Sequence, residues 1–551
     1  MLTLSTAALL AAGFIVLLLR LFHHRRSLRQ LQGPQRLYNL LGHEVHMSRQ
    51  DEVGDLEFKW LRQFGPTWRI QGAFGADVLM TGDPKALQHI FHKSGHRYAK
   101  TVSQNHMNYL LGGPNIVWAA GADHQRHRKV MNPAFSAPQL RSFLPLFQRI
   151  TGKLTEKWKR DLAGSSELET AVNEWFSRTT LDIIGQAGFD YDYRALDENE
   201  ESALAKAYHG VLKDAEFRLP KATMLFRATW TYLPQSVLQM FQYIPADPFA
   251  RLLNLRKVFS RYGQQMLSEK RPEIDTVEKD SRGKDIMSVL IKANASSDAK
   301  TRLDDDELMA EMFTLTLAGH ETTATTLTFL LYELARNPEY QNRMREEVQQ
   351  TRARVIARGD TNFTMEDLDS MTLCMNAIKE TLRFHPVVAF LLRVATQDDV
   401  LPLSIPVVST SGETITEIPI KKGQGFVASF AAYHRLREVW GDNPDIWNPD
   451  RFFHIDVEKQ INVGVFANLM TFSAGVRGCI GWRFSIIEMQ AVVAAIVEQF
   501  QFRLPAGAAV SDPKKSQIQR APAGGAMVPL TRGQPELGPN LRLRVSLVQA
   551  E

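Results

Sequence analysis

Cys479 stands in a loop punctuated by glycine, Phe472-Ser473-Ala474-Gly475-Val476-Arg477-Gly478-Cys479-Ile480-Gly481, and an apolar run through Ile486, Ile487, Ala491 and Val492 follows at once. Gly475, Gly478 and Gly481 allow tight backbone turns that a Cβ obstructs. Backbone N–H groups can then approach the sulfur, and the start of the helix predicted by the apolar run favours negative charge there. Arg477 adds a fixed positive charge two residues away. The loop therefore reads as a cradle for a metal-bound thiolate. A buried structural cysteine is the plainer alternative.

Two further clusters carry chemistry. The acidic run Asp304-Asp305-Asp306-Glu307 suits a helix N-terminus, and Ala318-Gly319-His320-Glu321-Thr322-Thr323 falls inside the helix it starts. An acid and an alcohol beside a helix-weakening glycine are odd choices for a packed interior. They make sense where the helix opens locally to admit water and oxygen. The alternative is a solvated face with threonines bonded back to carbonyls. Farther on, Glu380 and Arg383 lie three apart on a helix that ends before Pro386, so the two can pair on one face.

The pattern Phe-x-x-Gly-x-Arg-x-Cys-x-Gly resembles the haem-binding loop of the cytochrome P-450 superfamily at every fixed position. The segment around Glu321-Thr322 resembles that family's central helix, and Glu380-Thr381-Leu382-Arg383 with Arg451 resembles its structural ion network. The resemblance implies a mainly α fold with a small β portion, the cytochrome P-450 fold. It implies haem b held through Cys479 as axial metal ligand, in a loop shaped by Phe472 and Gly475. Arg128, Arg393 and Arg477 become the partners of the haem propionates. His124 falls where the family often has tryptophan, and an imidazole can still donate to a propionate. Glu321 becomes the residue that feeds protons from solvent, and Thr322 the hydrogen-bond partner of the activated oxygen. Glu380, Arg383 and Arg451 are scaffold. Arg126 and Lys129 read equally as a basic surface for an acidic partner or as a solvated helix face.

Residues Leu2 to Leu19 are almost uninterrupted apolar sequence, followed by Arg20, His23, His24, Arg25, Arg26 and Arg29. The run is just long enough to span a bilayer. Basic residues after it place that side in the cytoplasm, and a cleaved signal would carry its charge before the run. The expected organisation is an anchor over residues 1–22, a basic Gly-Pro linker over 23–45, and a catalytic body over 46–551. The net charge of +5 sits largely beside the anchor, which argues for a membrane surface rather than nucleic acid. Only Cys374 and Cys479 occur. With Cys479 on iron no disulfide remains, which fits a reducing compartment, and a body facing the cytosol would leave the sequons at Asn294 and Asn362 silent. An endoplasmic-reticulum membrane protein with a cytosolic body is the expectation.

By the same resemblance, electrons come from NADPH through a membrane flavoprotein, the NADPH–cytochrome P-450 reductase, with cytochrome b5 as a second candidate donor. One atom of O₂ enters a lipophilic small molecule, a terpenoid or other secondary metabolite ahead of a fatty acid or xenobiotic. Substrate contacts are expected from about Thr101 to Val117, about Phe217 to Ile244, and Val387 to Leu392. Met224 to Leu233 is also a candidate for dipping into the bilayer. Two rivals remain at this point: a haem-thiolate isomerase, dehydratase or peroxygenase that needs no reductase, and a haem-binding sensor or storage protein.

Overall fold

The computed structural model describes residues 28–548 apart from 95, 198–201, 203, 206–218, 244–246, 277–284, 299, 457–459, 507–517 and 524. The anchor expected over residues 1–22 lies outside them. Among the described residues no helix is long and apolar enough to cross a membrane.

Two short apolar runs near the start become β1 (Thr67–Gln71) and β2 (Asp77–Thr81), paired antiparallel. Asp83 then accepts the Ala86 N–H at 2.9 Å and Pro84 opens helix α1 (Pro84–Gln88), the start that Asp-Pro predicts. After β3 (Tyr98–Ala99) the chain turns helical: α2 (Val102–Gly112), α3 (Gly121–Met131) and α4 (Leu144–Asp161). Strand β4 (Leu168–Ala171) leads into α5 (Val172–Phe189), and α6 (Lys221–Thr229) follows.

The longest helix, α7 (Asp305–Arg336), begins where the acidic run predicts. Asp304 accepts the Glu307 N–H at 2.8 Å, and the Asp304 N–H donates to Glu307 Oε2 at 3.0 Å. This reciprocal cap satisfies two amides the helix cannot, worth about 1 kcal/mol. Beyond its first turns α7 is enclosed on most sides, and its threonines fit there because their hydroxyls return to carbonyls four residues back, as at Thr314, Thr316, Thr326 and Thr328. It packs most extensively on α5, and also meets α8 (Pro338–Ala357), α9 (Thr372–Phe384) and α10 (Trp482–Gln499).

Beyond α9 the chain is β-rich, as the sequence predicts: β5 (Phe390–Ala395), β6 (Asp399–Val408), β7 (Thr414–Ile420) and β8 (Gly425–Ser429). The main sheet has the order β1-β2-β8-β5-β3, with β2 and β8 parallel. After α10 come β9 (Phe500–Arg503), the hairpin β10 (Ile518–Ala523) and β11 (Ala526–Thr531), and β12 (Arg542–Leu547). The hairpin is expected; the sheet β4-β12-β9 is not. Its strands are short, and β12 pairs with β4 across most of the chain, through Arg542 with Ala171 and Val545 with Leu168.

Candidate active site

The Cys479 loop sits between the end of the β-rich region and α10. Its amide donates to the Phe472 carbonyl at 2.8 Å, and the Gly478 amide to the Gly475 carbonyl at 3.0 Å. Gly475 is irreplaceable: its φ is +63°, and a Cβ there would lie 1.8 Å from the Phe91 carbonyl oxygen. Gly478 is tight, since a Cβ there would lie 3.0 Å from the Val465 side chain. Gly481 corrects the expectation, since its φ is ordinary and its Cβ would meet nothing nearer than 3.9 Å. Its N–H is what matters, because it hydrogen-bonds the Cys479 sulfur. Burial pushes the Cys479 thiol up; that N–H and the charge of Arg128 oppose it. The acting charge is thus Arg128 and not Arg477, which instead donates to the Ala119 carbonyl at 3.1 Å. Cys479 lies deep in the protein yet keeps open surface, as a residue facing an internal space does. Phe472 is buried beside Phe466, ring centroids 6.2 Å apart.

Around this loop the fold gathers cations from four segments. Arg393 on β5 is 5% exposed and lies over the Phe91 ring at 5.2 Å. Its guanidinium is pulled down to about 10 by burial and by Arg477. His124, on α3 with Arg128, is buried and is pulled down to about 3 by desolvation and then by Arg477, Arg128 and Lys100. It is therefore a neutral imidazole, able to donate one hydrogen bond. Lys100 is the member that sequence reasoning missed. Its ammonium donates to the carbonyls of Trp118 at 2.7 Å, Ala119 at 3.1 Å, and Val117. Burial and the charges of Arg477 and Arg393 bring it down to about 7. Among the described residues no carboxylate pairs with Lys100, Arg128, Arg393 or Arg477. Arg126 is different: it is committed to Glu307, at 2.7 Å for one of its two bonds, and to the Arg302 carbonyl at 2.8 Å. Lys129 is exposed.

Helix α7 runs unbroken through Gly319 to Thr323, which corrects the expected local opening. The Thr322 hydroxyl donates to the Ala318 carbonyl at 2.8 Å, so the alcohol is satisfied inside an intact helix. Ala318 and Thr322, four apart and on one face, are exposed while His320 and Thr323 are enclosed. Glu321 looks elsewhere. It borders a cavity with Ser177 and Glu174 of α5 and Pro529 of β11, and accepts from the Ser177 hydroxyl at 3.4 Å. The acid and the alcohol are neighbours in sequence that face different spaces.

Behind the loop, Glu380 accepts two bonds from Arg383 at 2.8 Å, one from Arg451 at 2.9 Å and one from the Asn448 N–H at 2.7 Å. Arg383 also donates to the His434 carbonyl at 2.6 Å, and the His434 ring accepts the Met470 N–H at 3.0 Å. The ion network thus holds the entry to the Cys479 loop, as scaffold. Two segments expected to meet substrate do come together: the His106 ring of α2 is 5.4 Å from Trp230.

A family model for cytochrome P450 matches residues 31–528. The chain belongs to the cytochrome P450 family. It is 31% identical over 506 residues to cytochrome P450 monooxygenase 81 of Postia placenta, covering 90% of each chain. It is 31% identical over 453 residues to ganoderic acid synthetase of Ganoderma lucidum, covering 80% of this chain and 82% of that one. Cytochrome P450 monooxygenase 205 of Postia placenta is 29% identical over 555 residues, covering 99% and 97%. This P450 is a monooxygenase, and the family implies a haem-thiolate cofactor. The residues present fit that group: a cysteine facing an internal space, and a cluster of cations that lacks an anion of its own, which two propionates supply.

Proposed function

We propose that this P450 inserts one atom of O₂ into a lipophilic small molecule of secondary metabolism, a terpenoid ahead of a fatty acid or xenobiotic, using electrons from NADPH through a membrane flavoprotein reductase. The carrying observation is the cation cluster without a carboxylate beside Cys479. In this reading Cys479 is the axial ligand, and Lys100, His124, Arg128, Arg393 and Arg477 hold the propionates. A bound haem thiolate supplies oxygen activation, the thiolate favouring O–O cleavage. The protein's own part is positional. Ala318 leaves room on the open face of α7, Thr322 offers its hydroxyl there, and Glu321 stands at the side cavity to pass protons from solvent. The name of the Ganoderma relative supports secondary metabolism as the setting.

The reduced carbon monoxide complex of the purified protein is expected to show the strongly red-shifted Soret band of thiolate ligation, and Cys479→Ser to lose it. A band that persists in Cys479→Ser removes the ligand assignment. NADPH oxidation that needs added reductase separates this reading from the reductase-free rivals. Screening lipophilic compounds for a shift of the haem absorption then finds the substrate.

Attachment to the endoplasmic-reticulum membrane belongs to the same proposal. Phe226, Tyr232, Val237, Met240 and Tyr243 are exposed, as are Tyr38 and Leu40. Phe74, whose amide bonds the Leu40 carbonyl, contacts the Tyr232 ring at 6.0 Å, so the two apolar groups form one face. An apolar face beside the start of the body supports contact with a bilayer.

A further inference from the structure

Two of the segments expected to meet substrate, α2 and the stretch around Trp230, close on one another through aromatic rings. The Trp230 ring meets His106 edge to face at 5.4 Å, and Phe226 and Phe241 stand 5.7 and 5.5 Å from Trp230. Leu110 and Leu238, both buried, complete an apolar surround. Two polar atoms are shut inside it. Trp230 is 1% exposed and His106 6%, and among the described residues neither Trp230 Nε1 nor His106 Nε2 has a hydrogen-bond partner. A buried polar group without a partner is uncommon in a native fold and costs it stability, so a pair on adjoining rings asks for a partner from outside. The indole N–H only donates. The imidazole is hydrogen-bonded to the Leu238 carbonyl, and desolvation holds it below the ordinary histidine range. A carbonyl only accepts, so the nitrogen turned to it is Nδ1 and carries the proton; in that neutral ring Nε2 is an acceptor. A donor and an acceptor, both unserved, thus lie side by side.

One oxygen atom with bonds of about 3 Å to each nitrogen spans about 6 Å, which matches the spacing of the rings. Only a group that accepts and donates at once satisfies both. A hydroxyl does so; a ketone, ester or carboxylate accepts alone, an ammonium donates alone, and a hydrocarbon does neither. We propose that His106 and Trp230 are specificity-determining residues that hold a substrate hydroxyl, the Trp230 N–H donating to its oxygen and its proton donated to His106 Nε2. The substrate is accordingly a lipophilic alcohol whose hydroxyl is kept away from the carbon that is oxidised. The course of α2 supports that placing. From His106 it rises about 9 Å to Gly112, where a Cβ would lie 3.2 Å from the Phe313 ring of α7. The chain then runs on to the carbonyls that receive Lys100 and Arg477 beside the Cys479 loop. The hydroxyl anchor thus stands most of two helical turns back from that end.

The test uses the full-length, haem-loaded protein and matched probes: menthol, menthone and menthane; farnesol, farnesal and farnesene; cholesterol, cholestenone and cholestene. Affinity is read by equilibrium dialysis, which counts a ligand whether or not it moves the haem absorption. In at least one series the alcohol is expected to bind about tenfold tighter than its carbonyl partner, the effect of one more buried hydrogen bond. Trp230→Phe and His106→Phe are each expected to weaken the alcohol about tenfold. The carbonyl compound should lose affinity in Trp230→Phe and keep it in His106→Phe, because it uses the indole alone. His106→Gln returns an acceptor and should return part of the preference for the alcohol. A merely structural role would instead move all members of a series together. No alcohol binding better than its carbonyl partner, the result if water alone serves the two nitrogens, overturns the proposal. So does a preference that survives both phenylalanine variants. Should a variant lose its haem, the wild-type series decides. The inference rests on the proposed oxidation of a lipophile, and a missing carbon monoxide band fails that reading independently of these affinities.

Discussion

Around Cys479 the sulfur is governed by single groups: the Gly481 N–H, the Arg128 charge and the turn that only Gly475 can make. On α7 the Thr322 hydroxyl donates to the Ala318 carbonyl. Removing it leaves the helix intact, so Thr322→Ala is expected to keep haem and substrate binding. Electrons should divert to peroxide, because a placed proton donor contributes about two to four orders of magnitude. Equal product per NADPH in wild type and variant would show that the hydroxyl has no such role. A second expectation concerns acid. Desolvation, helped by Arg383 and Arg435, holds His434 well below 6.5, and desolvation against the opposing Glu333 brings His385 to about 4. Both are neutral when folded, so below pH 6.5 the unfolded chain binds more protons than the native one. Their contribution is complete above pH 6.5 and is lost as pH falls, down to about 4 for His385 and lower still for His434, at up to about 1.4 kcal/mol per pH unit for each. Urea midpoints should therefore drop as pH is lowered from about 7 to about 5; a level profile would contradict this. The cysteine loop and the arginines were legible because they sit in motifs. Lys100 was not, since no local pattern marks a lysine whose acceptors are three carbonyls on a later turn. The Asn294 side chain is engaged in the fold, where its amide donates to the Leu303 carbonyl at 2.9 Å and accepts the Leu303 N–H at 2.7 Å.

Between elements, α7 is tied to α3 and to the chain before it by a buried carboxylate. Glu311 accepts the Ile116 N–H and the His127 ring N–H, both at 2.6 Å, with both side chains fully enclosed. Ile116 belongs to the segment expected to meet substrate, and the following carbonyls receive Lys100 and Arg477. One loop is thus fastened both to α7 and to two of the cations gathered around the Cys479 loop. Glu311→Ala strands a buried imidazole and an amide, and is expected to cost about 3 kcal/mol. Thermal unfolding measures that loss, and spectral titration with the substrate found by screening should show weaker binding. A variant that keeps both values would mean the loop is held by something else. At this scale the long helices and the β-rich stretch were readable from periodicity and turn residues. The sheet β4-β12-β9 was not, because strands of four to six residues carry little pattern and their partners lie at the far end of the chain.

As a whole the molecule carries one exposed apolar face beside the start of its body, which the proposed membrane attachment would use. Deleting residues 1–27 is expected to leave a folded haem protein; a cut after Arg29 is too late, since Leu28 is enclosed in the core and the Arg29 carbonyl accepts from the Thr410 hydroxyl. It should still bind vesicles weakly through Phe226, Tyr232 and their neighbours. A truncated protein wholly soluble at low salt would sink the second contact, and full-length protein released by alkaline carbonate would sink the anchor. The strand β12 sets the timetable for all of this. It is synthesised after both strands it joins, pairing Arg542 with Ala171 on one side and Arg544 with Arg503 on the other. Until it leaves the ribosome, β4 and β9 lack the strand that joins them, and the nascent chain carries an open seam. A product stalled or clipped before Arg542 is left with two raw edges for other chains to pair with.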